Sequence, residues 1–366
     1  MTSGLPPFRA DHVGSLLRPQ SLMTAYSDYR SGHLSAESLA AAQDNAIREA
    51  IAMQESIGLE SITDGEFRRV SYWARFVTRV EGLEVAKATF TFRDDCGHQE
   101  QFSAPHVSNP VRRRTDIAVD EFRFVRASTR HTPKITLPSP PSMHFWRLGE
   151  GVDKSAYLDT SAYFIDLASV YREEINALAT AGSTYIQLDD VPFAMLCDPD
   201  IRAQVAARGV DANQLLLDYV DLCNDSLRDR PAGVTIAMHL CRGNYKAHFL
   251  SEGGYEAIAE LLFNKLAVDA FFLEFDSPRA GDFMPLRFMP ADRRVVLGLV
   301  SSKSPVLETQ DYLQRRLDEA ARVVEPASLC ISPQCGFAST IGGNPLTVDD
   351  QRAKLTLVVE TARNTW

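Results

Sequence analysis

The chain has 366 residues, 45% of them hydrophobic and 23% charged, a profile that supports a large buried core and excludes collagen, coiled coil and intrinsic disorder. Its 38 Lys and Arg stand against 48 Asp and Glu, a formal charge of −10, so its field repels polyanions and no nucleic-acid partner is expected. No apolar run approaches the ~18–20 residues that cross a bilayer, and the first eight residues show neither the basic nor the apolar region of a secretory signal, so a cytoplasmic protein without a membrane partner is expected.

In chain order, short apolar or β-branched runs at 8–12, 60–63, 134–138, 184–188, 234–238, 271–274, 295–300 and 328–331 predict strands. Several are apolar throughout, as in a parallel sheet covered on both faces. Stretches of helical period lie between most of them, at 35–57, 163–181, 213–227, 255–266, 309–324 and 349–362. Strand and helix alternate, and no Gly-x-Gly-x-x-Gly follows the first strand, so the expected fold is a (β/α)8 TIM barrel forming one domain over 1–366. Residues 88–130 break the alternation. There Phe90-Thr91-Phe92 and Phe122-Arg123-Phe124 alternate with period two, which predicts a β-rich insertion between strands 2 and 3. The six cysteines, Cys96, Cys197, Cys223, Cys241, Cys330 and Cys335, are too few and scattered for a disulfide framework and are expected to be reduced.

Chemistry in such a barrel gathers where strands end. The first strand ends in His12-Val13-Gly14-Ser15, the second in Asp64-Gly65-Glu66, and the third in Ser139-Pro140-Pro141-Ser142 with His144 and Trp146 just beyond. The fourth ends in Asp189-Asp190, the fifth in His239-Leu240-Cys241, the sixth in Glu274, the seventh in Ser301-Ser302-Lys303, and the eighth runs out to Cys335. His239 and Cys241, two apart on an extended segment, project to the same side. Glu274 and Cys335 from neighbouring strand ends complete one imidazole, two thiolates and a carboxylate, a set suited to tetrahedral Zn2+. Such an electron-rich zinc activates water poorly but holds a thiol as a nucleophilic thiolate, which points to sulfur alkylation. Spacing alone fits equally a satisfied core histidine and inert buried thiols.

Five segments carry a resemblance. They are 10–19 (Ala-Asp-His-Val-Gly-Ser-Leu-Leu-Arg-Pro), 63–69 (Thr-Asp-Gly-Glu-Phe-Arg-Arg), 186–190 (Ile-Gln-Leu-Asp-Asp), 238–244 (Met-His-Leu-Cys-Arg-Gly-Asn) and 332–339 (Ser-Pro-Gln-Cys-Gly-Phe-Ala-Ser). In this order they resemble the cobalamin-independent methionine synthase family, in particular the catalytic barrel of its short single-barrel bacterial members, over 8–366. The resemblance implies zinc on His239, Cys241, Glu274 and Cys335. It further implies homocysteine bound by the Gly14-Ser15 turn, Glu66 and Asp189, with Ser15 and backbone N–H groups taking the carboxylate and the two acids the ammonium.

Two departures stand out. Full-length members carry a histidine after the seventh strand that assists proton transfer, and here Lys303 takes its place. They also carry a second barrel that helps to bind polyglutamylated folate, for which 366 residues leave no room. Trp146 and His144 are the candidates for a donor pocket, an indole face being suited to a pterin. Arg112-Arg113-Arg114 reads as a solvated charge run, and residues 336–343 as a loop beside Cys335.

The expected function is therefore a zinc-dependent methyltransferase that alkylates homocysteine thiolate to methionine. The donor is a methylated folate or an alternative carrier, free or delivered by a partner protein. One rival is a zinc-thiolate alkyl transferase on another thiol, since the chain also resembles epoxyalkane:coenzyme M transferase. A sulfonate thiol has no ammonium to meet Glu66 and Asp189, which counts against it. The other rival is a catalytically silent zinc-holding partner subunit.

Overall fold

The structure is a computed structural model and describes residues 5–93 and 99–366; Cys96 and the N-terminal Met1 lie outside the described residues. In chain order the strands are β1 Ser61–Ile62, β2 Val80–Arg93, β3 Gln99–Arg113, β4 Thr132–Pro133, β5 Ile135–Pro138, β6 Tyr185–Asp190, β7 Thr235–Leu240, β8 Ala270–Glu274, β9 Arg294–Val300 and β10 Leu329–Pro333. Helices alternate with them: α1 Gln20–Arg30, α2 Ala36–Ile57, α3 Ala74–Arg79, α4 Val119–Ser128, α5 Thr160–Thr180, α6 Pro192–Met195, α7 Pro199–Ala207, α8 Ala212–Leu227, α9 Glu256–Lys265, α10 Gln310–Ala320 and α11 Val348–Thr365. The longer helices start where the sequence provides a cap: Ser35 accepts from Ser38 N at α2, Asp159 from Ala162 N at α5, and Thr347 forms a reciprocal box with Asp350 at α11.

The strands pair in parallel in the order β5-β6-β7-β8-β9-β10. Beyond β10 the ladder reaches Ala10, whose neighbours exchange bonds with Ile331: Asp11 N donates to the Ile331 carbonyl (3.0 Å) and Ile331 N to Arg9 (2.8 Å). At the other end, β1 pairs with β4. The remaining junction, between the first two strand segments, is spanned by Ser61 Oγ to Asp11 (2.6 Å), Thr63 Oγ1 to the Gly14 carbonyl (2.7 Å) and Leu16 N to the Gly65 carbonyl (3.1 Å). The predicted strand at 8–12 is thus a single bridge, and that at 134–138 is β5 from Ile135 on, with Lys134 between it and β4.

The predicted insertion is only partly sheet. β2 and β3 form an antiparallel hairpin that begins at Val80, eight residues before the predicted start. It bends at Gly82, where φ is +87° and an added Cβ would lie 2.4 Å from the Asn109 carbonyl. Its base is tied to α5: buried Glu174 accepts from Arg113 Nε (2.8 Å), Ile117 N (3.1 Å) and Ala118 N (2.7 Å), so Arg113 turns inward from its exposed neighbours. Phe122 and Phe124, read as strand, lie on α4. The pattern that decides is Val119, Phe122 and Val125, all buried at a spacing of three, while Phe124 lies under Arg48 and Arg68.

Inside the barrel the ammonium of Lys134 is fully buried. It donates to Asp11 Oδ1 (2.9 Å), Gln187 Oε1 (3.1 Å) and the His12 carbonyl, and lies over the Phe272 ring at 4.8 Å. Asp11 also accepts from Ser61 and Tyr185. Removing one member of a buried pair leaves the other charge unpaired. Asp11→Asn is therefore expected to lose roughly 3–5 kcal/mol of stability, read as the denaturant midpoint; an unmoved midpoint contradicts the pairing.

Candidate active site

The loops at the C-terminal ends of the strands enclose a cavity of about 580 Å³. His239 on β7, Cys241 just beyond it, Glu274 at the end of β8 and Cys335 beyond β10 converge beneath it. Their ligand atoms all lie within 4.8 Å of one another, and all four residues are buried. Cys241 Sγ and Cys335 Sγ are 3.4 Å apart. Contact with Cys335, then burial, pushes the Cys241 thiol well above its ordinary value, whereas the hydrogen bond from Cys241 lowers that of Cys335. Ionising both sulfurs beside a carboxylate without a cation is strongly repulsive. The donor set fits zinc in type and in mutual distance, and binding of such a cation would release the thiol protons.

His239 is held from both sides. Nδ1 is 3.2 Å from Asp189 Oδ1, and Nε2 is 3.2 Å from the carbonyl of Gln334, the residue before Cys335. Burial opposes its charge, but Asp189 and Cys335 outweigh it and raise the imidazole to about 9. Gln334 is itself fastened by Ser302, whose N and Oγ both donate to its side chain. The Lys303 ammonium does not line the cavity. It donates to the Gly243 carbonyl (2.9 Å) and lies close enough to Glu274, Cys241 and Cys335 to favour their ionised forms.

Ser15, Glu66 and Asp189 line the cavity. Gly14 (φ +134°) lets the first turn pass over Thr136, whose Cγ2 would be 2.9 Å from an added Cβ. Ser15 packs on Gly336, where a Cβ would meet Ser15 Oγ at 1.9 Å. Glu66 follows Gly65 in left-handed backbone, with φ +61°, a strained conformation for a non-glycine residue. Arg18 and Arg69 secure the turn by donating to its carbonyl. The Glu66 carboxylate accepts from Thr136 Oγ1 (2.7 Å), with Arg69 at 3.5 Å. Burial, opposed by Arg69 and reinforced by Asp189, raises it to about 7.

Trp146 lines the cavity, but His144 does not. The two follow a short 3-10 turn at Pro140–Met143, where residues two apart diverge instead of sharing a face. His144 is bonded through Nδ1 to Tyr219 OH (2.8 Å), edge-on to Phe164, and burial holds it down at about 4. The outer wall was not legible beforehand: Phe92 and Phe102 of the hairpin, Tyr72 and Tyr245. Phe102 meets Trp146 edge-on at 5.2 Å, and Phe92 meets Tyr245 at 5.4 Å. Phe92 had signalled only strand alternation, Phe102 gave no signal of its own, and Tyr72 and Tyr245 belong to loops with no periodic pattern.

Fold and strand-end chemistry together define the class of barrel methyltransferases. Within it the chain belongs to the family described as cobalamin-independent synthase, catalytic domain, which it matches over residues 8–364. An uncharacterized protein of Bacillus subtilis, YxjH, is 38% identical over 98% of this chain and 95% of its own. A Listeria monocytogenes structure described as a candidate vitamin-B12 independent methionine synthase is 31% identical, covers 99% of both chains and superposes with a TM-score of 0.80. A B12-independent methionine synthase from Shewanella sp. W3-18-1, solved in complex with selenomethionine, shares the fold (TM-score 0.74, 20% identity, 97% of both chains).

The raised Glu66 carboxyl has a consequence for stability. The folded state prefers its protonated form, so its contribution is fully present below the ordinary value of 4.5 and is lost as pH rises through about 7. Glu66→Gln is expected to gain stability relative to the parent between those values and to hold that gain above pH 7, in denaturant midpoints measured across pH. Parallel pH profiles contradict this.

Proposed function

We propose that this chain is a zinc-dependent methyltransferase that methylates homocysteine to methionine, using a methylated folate or another methyl carrier, in the reducing cytoplasm where its cysteines stay free. The observation that carries the reading is the juxtaposition of the four-donor cluster with Glu66 and Asp189 at one cavity. His239, Cys241, Glu274 and Cys335 would hold the metal, whose chemistry is to favour the thiolate of an incoming thiol while leaving its sulfur nucleophilic.

The protein's own groups do the rest. Ser15 and the backbone N–H groups of its turn take the substrate carboxylate, and Glu66 and Asp189 take its ammonium. Both Asp189 contacts, from Gln187 and His239, fall on Oδ1, so Oδ2 retains capacity for a cation. The donor's methyl group enters through the cavity that Trp146 and the hairpin aromatics wall, which align it with the sulfur and exclude water. A sulfur–carbon bond forms, the carrier–carbon bond breaks, and the carrier leaves with the electron pair. To Lys303 we assign an electrostatic part: from outside the cavity its ammonium favours the ionised forms of Cys241, Cys335 and Glu274, and the thiol proton passes to the departing carrier.

An ammonium-bearing ligand meets an ionised Glu66 only above about pH 7, so homocysteine affinity is expected to rise as pH increases to that point. Glu66→Gln and Asp189→Asn should weaken homocysteine by about tenfold to 150-fold, equivalent to roughly 1.5–3 kcal/mol per charge-assisted contact. They should barely affect a thiol analogue without the amine and should leave zinc content near one per chain, whereas Cys335→Ala should lose the metal. Calorimetry with both ligands, beside elemental analysis, is the test. Equal losses for both ligands contradict the amine pocket, and undiminished zinc in Cys335→Ala contradicts the metal assignment. A methyl-transfer assay across several donors distinguishes an enzyme from a silent partner subunit.

A further inference from the structure

Gln187 has no place in the chemistry above, yet it is completely buried at the centre of the barrel and joins two charged groups. Its Oε1 accepts from Lys134 Nζ at 3.1 Å, and its Nε2 donates to the Val13 carbonyl at 2.6 Å and to Asp189 Oδ1 at 2.7 Å. We infer that Gln187 is a positioning residue: oriented by the buried Lys134 ammonium, its amide fixes the Asp189 carboxylate so that this accepts the Nδ1 proton of His239 and leaves Nε2 as the nitrogen for a metal. The inference rests on the metal reading of the site.

The orientation of the amide is dictated by chemistry. An ammonium has three protons to give and no lone pair, so the Gln187 oxygen must face Lys134. The nitrogen then faces two acceptors, a carbonyl and a carboxylate. A reversed amide would set N–H against ammonium and oxygen against carboxylate, and with Gln187 fully buried no water can relieve either contact. Strand geometry carries the order outward. Gln187 and Asp189 are two apart on β6 and share a face, and Asp189 pairs in register with His239 on β7. The side chains are thus neighbours along and across the ladder, and the 3.2 Å contact from Asp189 Oδ1 to His239 Nδ1 follows. A carboxylate on the second imidazole nitrogen fixes the tautomer and plane of a metal-binding histidine. Here that carboxylate is in turn fixed by an amide that a buried cation holds in one orientation.

Gln187→Glu separates the two ends of this chain. It keeps an acceptor for Lys134 and removes the donor to Asp189. Zinc dissociation constants, measured by competition with a chromogenic chelator, are compared for the wild type, Gln187→Glu, Asp189→Ala and the double variant. Loss of such an outer contact typically weakens metal binding about 10- to 100-fold, and each single variant is expected in that range. Because Gln187 acts through Asp189, the double variant is expected within about twofold of the weaker single one. A purely structural role would multiply the two losses, and that result overturns the inference, as does a Gln187→Glu constant within twofold of the wild type. If Gln187→Glu does not fold, Gln187→Met, of similar length and without a donor, is read by the same criteria. A wild type that takes up no zinc overturns the metal reading and this inference with it, whereas a zinc-binding wild type with multiplicative losses overturns the inference alone.

Discussion

A single buried cation organises this barrel. Lys134 interrupts a strand that is otherwise paired on both sides, and its ammonium, with no access to solvent, must find acceptors inside the protein. Asp11 supplies the opposite charge, the His12 carbonyl and Gln187 complete the shell, and Asp11 and Gln187 are each also bound to something else. Asp11 reaches Ser61 and Tyr185, which ties the first strand segment to the second and fourth across the interior. The first segment makes only one ladder bridge, so this polar contact does much of what sheet hydrogen bonds do elsewhere in the barrel.

The same constraint reaches the cavity. Above Gln187 the strand ends gather Glu66, Asp189, Asp190, Glu274 and two thiols, with Arg69, Arg242, Lys303 and the His239 imidazole set against them. Arg69 is largely engaged by Glu121 and Thr136. On the proposed reading this enclosure takes cations at two places, the soft-donor cluster and the Glu66–Asp189 pair. Glu66 and Asp190 each rise to about 7, both driven first by burial, with the Asp189 charge adding to each. A zwitterionic thiol satisfies the amine side of such a site in a way that a sulfonate thiol cannot.

How much of this was legible depends on the range of the interaction. His239 and Cys241 declare themselves locally, because residues two apart on a strand share a face. Glu274 and Cys335 could be added because parallel strands end on one side of a barrel, and their ligand atoms do meet within 4.8 Å. Phe122 and Phe124 misled because two aromatics two apart sample a period too briefly, while Val119, Phe122 and Val125 carried the helical one. Lys134 gave no signal at all: a lysine at the start of an apolar run looks like a solvated strand end, and only the closed interior turns it into a core charge. His144 was paired with Trp146 by proximity in sequence, but both lie in the turn at 144–147, which sends one into the core and the other to the cavity. The aromatic wall depends on the hairpin folding back over the strand ends, a long-range event without a local signature.

X-ray absorption at the zinc edge, with and without saturating homocysteine, tests the account most directly. On the proposed reading Cys241 and Cys335 set two sulfurs around the metal in the free protein. A rise to three on adding homocysteine, with proton release, is the result the account predicts. A count that stays at two would place the substrate thiol elsewhere and contradict thiol activation as the purpose of the site.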